Sequence, residues 1–169
     1  LREHGAAVTT RQVAEAAGIA EGTVFRAFGS KDELVHACAA AAFDTTDAVA
    51  RLRSVRVDQP LEGRLADAVA ILQAHVARLI ELMVALRSSG VVPSGRERPR
   101  HSHTSDPAVT AAFVDLVGAD AEQLRLPAEE VVEILAQLTL SSVHPFFPGR
   151  ALTPSRIVSV VLDGTRKAR

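Results

Sequence analysis

Apolar side chains return at helical intervals along most of the chain and never settle into the strict alternation of a half-buried strand. The clearest case runs from Leu61 to Ser88, where Leu61, Leu65, Ala68, Leu72, Val76, Leu79, Met83 and Leu86 recur three or four residues apart and predict one long helix. Its second half adds Ile80, Leu82 and Val84, which makes it apolar nearly all round and places it in the middle of a helical body. Val109, Phe113, Leu116, Val117 and Leu124 mark a later helix. Pro127 with Glu129 and Glu130 opens another that runs to about Val143, and Thr153 as cap with Pro154 in the first helical position starts a terminal helix through Arg166. The polar, proline-bearing stretch GVVPSGRERPRHSHTSDP reads as a surface loop between two helical blocks.

The N-terminal part has a different rhythm. Thr9 followed by Gln12 is a capping-box pattern and predicts a short helix from Thr10 to Ala17. Gly18 supplies a left-handed turn residue, a second short helix carries Gly22 to Ala27, and Gly29 stops it. Ser30 and Glu33 form another capping box, launching an Ala-rich helix from Lys31 to about Arg53 that SVRVDQP then breaks. The opening residues, LREHGAAV, read as the tail of a helix, so a first helix is expected to be truncated here.

Composition sharpens the class. Apolar residues make up 47% of the 169, with Ala, Leu and Val dominant and Trp and Tyr absent, which favours helix over sheet, and an all-α protein is expected. A single cysteine, Cys38, excludes an internal disulfide framework, and the chain does not open on a secretory leader, so a cytoplasmic, soluble protein is expected. No apolar run approaches the roughly 20 residues needed to span a bilayer, since Leu79 to Leu86 is short and contains Glu81. The formal net charge of −1 argues against coating nucleic acid by bulk electrostatics, so any DNA contact must be local.

Two short helices about a tight glycine turn fit a helix-turn-helix. That motif needs a small residue where the helices cross, a turn glycine, and apolar residues to lock the pair, roles that Val13, Ala14, Gly18, Ile19 and Val24 fill in order. A helical hairpin buried in a larger bundle uses similar residues, and spacing alone leaves both readings open.

The segment TTRQVAEAAGIAEGTVFRAFGSKDELV, Thr9 to Val35, resembles the N-terminal signature of the TetR family of regulators in its glycine turn, its G-T-aliphatic-aromatic recognition helix and its phenylalanine leading into S-K-x-x-L. LTPSRIVSVVLDGTR is similar to the last helix of many members. The resemblance implies an N-terminal three-helix DNA-binding domain over residues 1–50, including the start of the connecting helix, and a helical ligand-binding and dimerisation domain over 51–169. It implies that Thr9 and Thr10, with Arg11 beside them, meet a phosphate, and that Lys31 does likewise at the start of the next helix. Thr23 and Arg26 then lie on the recognition helix, where Arg can bind guanine through two hydrogen bonds or clamp a phosphate, and Gly22 lets the backbone come close.

This sequence departs from the family pattern in three places. Phe25 stands where tyrosine is usual, so only the packing role of that ring survives. Ala20 replaces the usual serine-like cap, a loss of about 1 kcal/mol. Glu21 is repelled by phosphate, yet a carboxylate can accept from the exocyclic amine of cytosine; base contact and solvated surface both stay open for it. From Leu1 to Lys31 there are four Lys or Arg against three Glu, too weak a balance for one copy to hold DNA tightly, so two copies are needed.

In the body, Val131, Leu135, Leu138 and Ser142 line one face and Ile157, Val160, Val161 and Gly164 another. These serve either as a monomer core or, as the resemblance implies, as a four-helix interface in a homodimer, with Gly164 allowing close approach. Gln73 and His75 fall in line with apolar neighbours and need partners. They are either core residues bonded to nearby carbonyls or polar groups that orient a small apolar effector in a pocket lined by Leu79, Met83, Leu86, Phe113 and Leu116. His101 with His103, and His36 with Cys38, are too poorly spaced for a metal or thiol site, and hydrolase, nucleotide-binding and zinc-protease motifs are absent, so no catalytic residue, metal or cofactor is expected. The expected function is a ligand-responsive repressor binding a pseudo-palindromic double-stranded operator. A regulator without a small ligand and a helical partner-binding protein are the alternatives.

Overall fold

The computed structural model describes residues 9–88, 106–143 and 152–166, and the regular elements among them are helical. They are α1 (Thr10–Ala17), α2 (Glu21–Ala27), α3 (Lys31–Phe43), α4 (Thr46–Arg53), α5 (Leu61–Ser88), α6 (Pro107–Val117), α7 (Ala128–Val143) and α8 (Pro154–Thr165), with a 3-10 stretch, Gly118–Gln123, after α6. The protein is all-α. A lone antiparallel bridge joins Leu124 to Arg166, where the Arg125 N–H donates to the Thr165 carbonyl at 2.7 Å. None of the described helices is long and apolar enough to cross a membrane.

The chain forms two compact units. One comprises Leu1–Asp44 with Arg78–Arg100, the other Thr45–Ala77 with His101–Arg169. The chain therefore passes between units at Asp44–Thr45 and again inside α5.

The helix expected from Lys31 to Arg53 is in fact two. α3 stops at Phe43, Asp44 turns extended at φ −70° and ψ 123°, and α4 starts at Thr46. Asp44, Thr45 and Thr46 are weak helix formers in a row, so the Ala-rich run has nothing local to carry it across. Thr45 stands at the cap position of α4 without capping it, because its hydroxyl donates instead to Asp106 Oδ2 at 2.5 Å. Asp106 is also the cap of α6, its Oδ1 accepting from the Ala108 N–H at 2.8 Å ahead of Pro107 in the first turn. One carboxylate thus fastens the starts of two helices. The helix expected through Leu124 also ends early, at Val117, where Gly118 takes φ 54°, a left-handed angle that other residues adopt at a cost.

The second unit has the larger core. Leu52 of α4, Leu65, Val69 and Leu72 of α5, Phe113 and Val117 of α6, Val131 and Leu135 of α7, and Ile157 and Leu162 of α8 are essentially sealed from solvent. Each such side chain contributes about 1.5–3 kcal/mol relative to exposure. The α5 residues among them keep the expected register, while toward the end of α5 Met83 is half-buried and Val84 exposed. Two buried threonines on α7 and α8, Thr139 and Thr165, donate to the carbonyls of Leu135 and Val161 one turn back, each at 2.7 Å, so neither is an unpaired polar group in the core. At one end of α5, Arg64 pairs with Asp120 of the 3-10 stretch, and Glu62 pairs with Arg166 beyond α8. The hydrogen bond from Arg166 holds the Glu62 carboxyl below its ordinary range, so this pair adds stability at neutral pH that fades as pH falls through the lowered value. Both partners are substantially exposed, which keeps the contribution small.

Replacing Asp106 with alanine removes the α6 cap and leaves Thr45 without its acceptor. The expected loss is about 1–2 kcal/mol, read as a lower denaturant midpoint with unchanged slope. A loss of only a few tenths would show that the double cap carries no stability.

Candidate nucleic-acid interface

α1 and α2 are eight and seven residues long, too short to persist alone, so caps and a shared core must hold them. The expected box at Thr9 is complete. Its Oγ1 accepts from the Gln12 N–H at 3.2 Å, and Gln12 Oε1 accepts from the Thr9 N–H at 2.9 Å. At the other end Gly18 adopts φ 67°, its N–H reaches the Glu15 carbonyl at 3.1 Å, and the next N–H, of Ile19, closes on the Ala14 carbonyl at 2.9 Å. That double closure is a Schellman ending, and it turns the chain sharply into α2. α2 has Ala20 as its N-cap with no side-chain hydrogen bond, as the sequence implied, and its last residue is Ala27, as expected, with Phe28 as the C-cap. α3 starts from a modified box: Ser30 Oγ accepts from the Glu33 N–H at 3.1 Å, but Glu33 reaches back to the N–H of Gly29, not of Ser30, at 2.8 Å.

Beneath these helices lies a shared apolar cluster. Ala14 of α1, Val24 of α2 and Leu34 of α3 meet, with Val13, Phe28 and Cys38 packed against them. Burial pushes the Cys38 thiol above its usual range, which disfavours the thiolate. Ile19, assigned to the lock from its spacing, is 46% exposed.

Val24 is the one buried residue of α2. Glu21, Gly22, Thr23, Phe25 and Arg26 all lie exposed, Phe25 at 51%, and the space where a Gly22 side chain would stand is open. A helix anchored by one side chain with the rest of its surface presented outward is the form in which a recognition helix enters a groove. Arg11 is exposed on α1. Lys31 opens α3, and its side chain lies outside the described residues.

One contact was not legible in the sequence. The Thr10 hydroxyl donates to Glu21 Oε1 at 2.7 Å, tying the first residue of α1 to the first residue of α2. Thr9 and Thr10, both expected to meet a phosphate, thus have their hydroxyls engaged within the protein. Thr10 and Glu21 lie on different helices across the turn, so no periodicity within one element would have flagged the pair.

The residues assigned to an effector site divide between the two units. Gln73, His75, Phe113 and Leu116 lie in one, Leu79, Met83 and Leu86 in the other. Phe113, Leu116, His75 and Leu79 are buried, Met83 is half-buried, and the side chain of Leu86 lies outside the described residues. Gln73 donates through Nε2 to Ser142 Oγ and to the Leu152 carbonyl, both at 2.9 Å, so it joins α5 to the end of α7 and the approach to α8. Of the residues assigned to a dimer face, Val131, Leu135, Ile157 and Val161 are buried inside the single chain, and Leu138 and Ser142 are half-buried. Val160 is 51% exposed, and Gly164 is exposed with nothing within 4 Å of where its Cβ would be. His101 and His103 lie outside the described residues, and no cluster of metal-ligating side chains occurs among the described ones.

Residues 1–38 match the family model of bacterial regulatory proteins of the tetR family. A comparison with curated proteins finds no match. Among solved structures, a TetR transcriptional regulator from Streptomyces coelicolor superposes with a TM-score of 0.54 at 20% identity, each chain covered to 100%. A ketosteroid transcriptional regulator from Mycobacterium tuberculosis gives a TM-score of 0.49 at 22% identity over 99% of this chain and 89% of its own. The first of these likenesses is one of fold. The exposed α2 behind a glycine turn, taken with the matched head, defines a helix-turn-helix DNA-binding regulator of transcription. That head, residues 1–38, is similar to the DNA-binding part of the TetR family.

The capping box makes a direct prediction: Thr9→Ala should cost about 1 kcal/mol. Amide exchange should speed up in α1 while α7 and α8 keep their protection. Uniform loss of protection across both units would contradict the local role.

Proposed function

We propose that the protein is a homodimeric repressor that places two copies of α2 in successive major grooves of a pseudo-palindromic operator. The observation that carries this reading is the exposure of all but one residue of α2, whose Val24 packs with Ala14 and Leu34. The weak charge balance of the head makes a second copy necessary for tight binding. In this reading residues 1–50 read DNA, residues 51–169 join the copies and hold a small apolar effector, and the protein works in the cytoplasm. The effector acts by favouring the conformer that does not bind DNA, since equal affinity for both would shift nothing.

For the contact between copies, the burial pattern favours the outer side of α8. Val131, Leu135, Ile157 and Val161 have their apolar surface covered within one chain, which leaves Val160 and Gly164 as the outward apolar positions.

Two measurements test the reading. Arg26→Ala should weaken binding to the selected operator by about 1–3 kcal/mol and lose less on random DNA, as a base-reading arginine does. An equal loss on both makes it a phosphate contact, and no loss on either removes α2 from the groove. Gly164→Leu has open space around it in the single chain, so the fold should tolerate it. Sedimentation should then show dissociation into monomers together with a fall in operator affinity. A variant that stays dimeric with unchanged affinity would exclude α8 from the contact.

A further inference from the structure

α2 carries two charged side chains, Glu21 at its start and Arg26 in its last turn, and Glu21 is the odd one on a surface that faces phosphates. Its charge opposes approach to any DNA sequence. The structure nevertheless spends a hydrogen bond on holding this carboxylate in place, from Thr10 Oγ1 to Oε1 at 2.7 Å. An ionised carboxylate accepts on both oxygens, so Oε2 keeps its capacity to accept while Oε1 is held. The neighbouring Gly22 presents open space and no side chain, which leaves the carboxylate unshielded on the exposed side of the helix.

The chemistry of base edges then narrows what can sit opposite. In the major groove guanine offers the acceptors O6 and N7, and thymine the acceptor O4 and a methyl group, none of which can meet a carboxylate favourably. Adenine offers its N6 amine but places the N7 acceptor beside it. Cytosine offers the N4 amine alone, so it is the base that best offsets the charge of Glu21.

We propose that Glu21 is a specificity-determining residue that selects cytosine at one position of each half-site, with Thr10 as its positioning residue. The inference rests on the DNA-binding reading above and deepens it. Discrimination comes as much from repulsion of the wrong bases as from attraction of the right one.

The test uses the full chain, selection from a random duplex library, and affinities for the selected site and its single-base variants. The wild type should enrich a motif with cytosine at one position per half-site. Glu21→Gln should move that position to adenine, because a glutamine amide pairs with N6 and N7 together. Glu21→Ala should level the position, erasing a preference of roughly 5- to 150-fold, while binding to random DNA becomes tighter. Thr10→Val should weaken the preference at that same position, and Thr10→Ser, which keeps the hydroxyl, should retain it. The proposal is overturned if the Gln and Ala variants enrich the wild-type motif unchanged at every position, which would leave the contact as a tie between helices. A wild type that enriches no motif at all would instead overturn the DNA-binding reading.

Discussion

α1 and α2 are each only about two turns long, and a helix of that length gains too little from its own hydrogen bonds to survive in water. What holds them is the meeting of Ala14, Val24 and Leu34, one buried side chain from each of α1, α2 and α3 among the described residues. With Val24 alone turned inward, the rest of α2 has nowhere to go but the surface, and the turn between α1 and α2 must be tight enough to bring Ala14 and Val24 together. Gly18 in the left-handed region meets that demand, with two successive N–H groups closing the end of α1.

The same economy explains where polar side chains are spent. Thr9 and Gln12 satisfy each other and two backbone groups, and Ser30 with Glu33 does the corresponding work at the start of α3, its carboxylate landing on Gly29. These bonds replace stability that a larger core would supply. The Thr10–Glu21 bond belongs to the same scheme mechanically, since it ties two helix starts together, and it holds a carboxylate at the exposed start of α2.

In the second unit the balance is reversed. Large side chains from five helices are sealed together, and polar contacts act as ties at the edges: Asp106 between the starts of α4 and α6, Gln73 between α5, Ser142 and Leu152, and Arg64 with Asp120 at the far end of α5. Burial of Val131, Leu135, Ile157 and Val161 within one chain changes what a second copy can touch. An apolar stripe counted along a helix does not say whether its covering comes from the same chain or from another, because the hydrophobic effect is indifferent to chain identity.

Sequence by itself determined the helical class, the full extent of α5, the capping box of α1 and the Gly18 turn, because each rests on periodicity or on residues within five positions of one another. Local chemistry of that kind is decided before the chain folds up. The tertiary structure decided what depends on distant partners. It broke the Lys31–Arg53 helix, where weak helix formers at 44–46 coincide with a hydroxyl drawn to Asp106, sixty-one positions away. It gave Gln73 the partners Ser142 and Leu152, and it brought Thr10 to Glu21. A side chain's preference for a hydrogen bond can be read from its type, but the identity of its partner is set only when packing brings the two into reach.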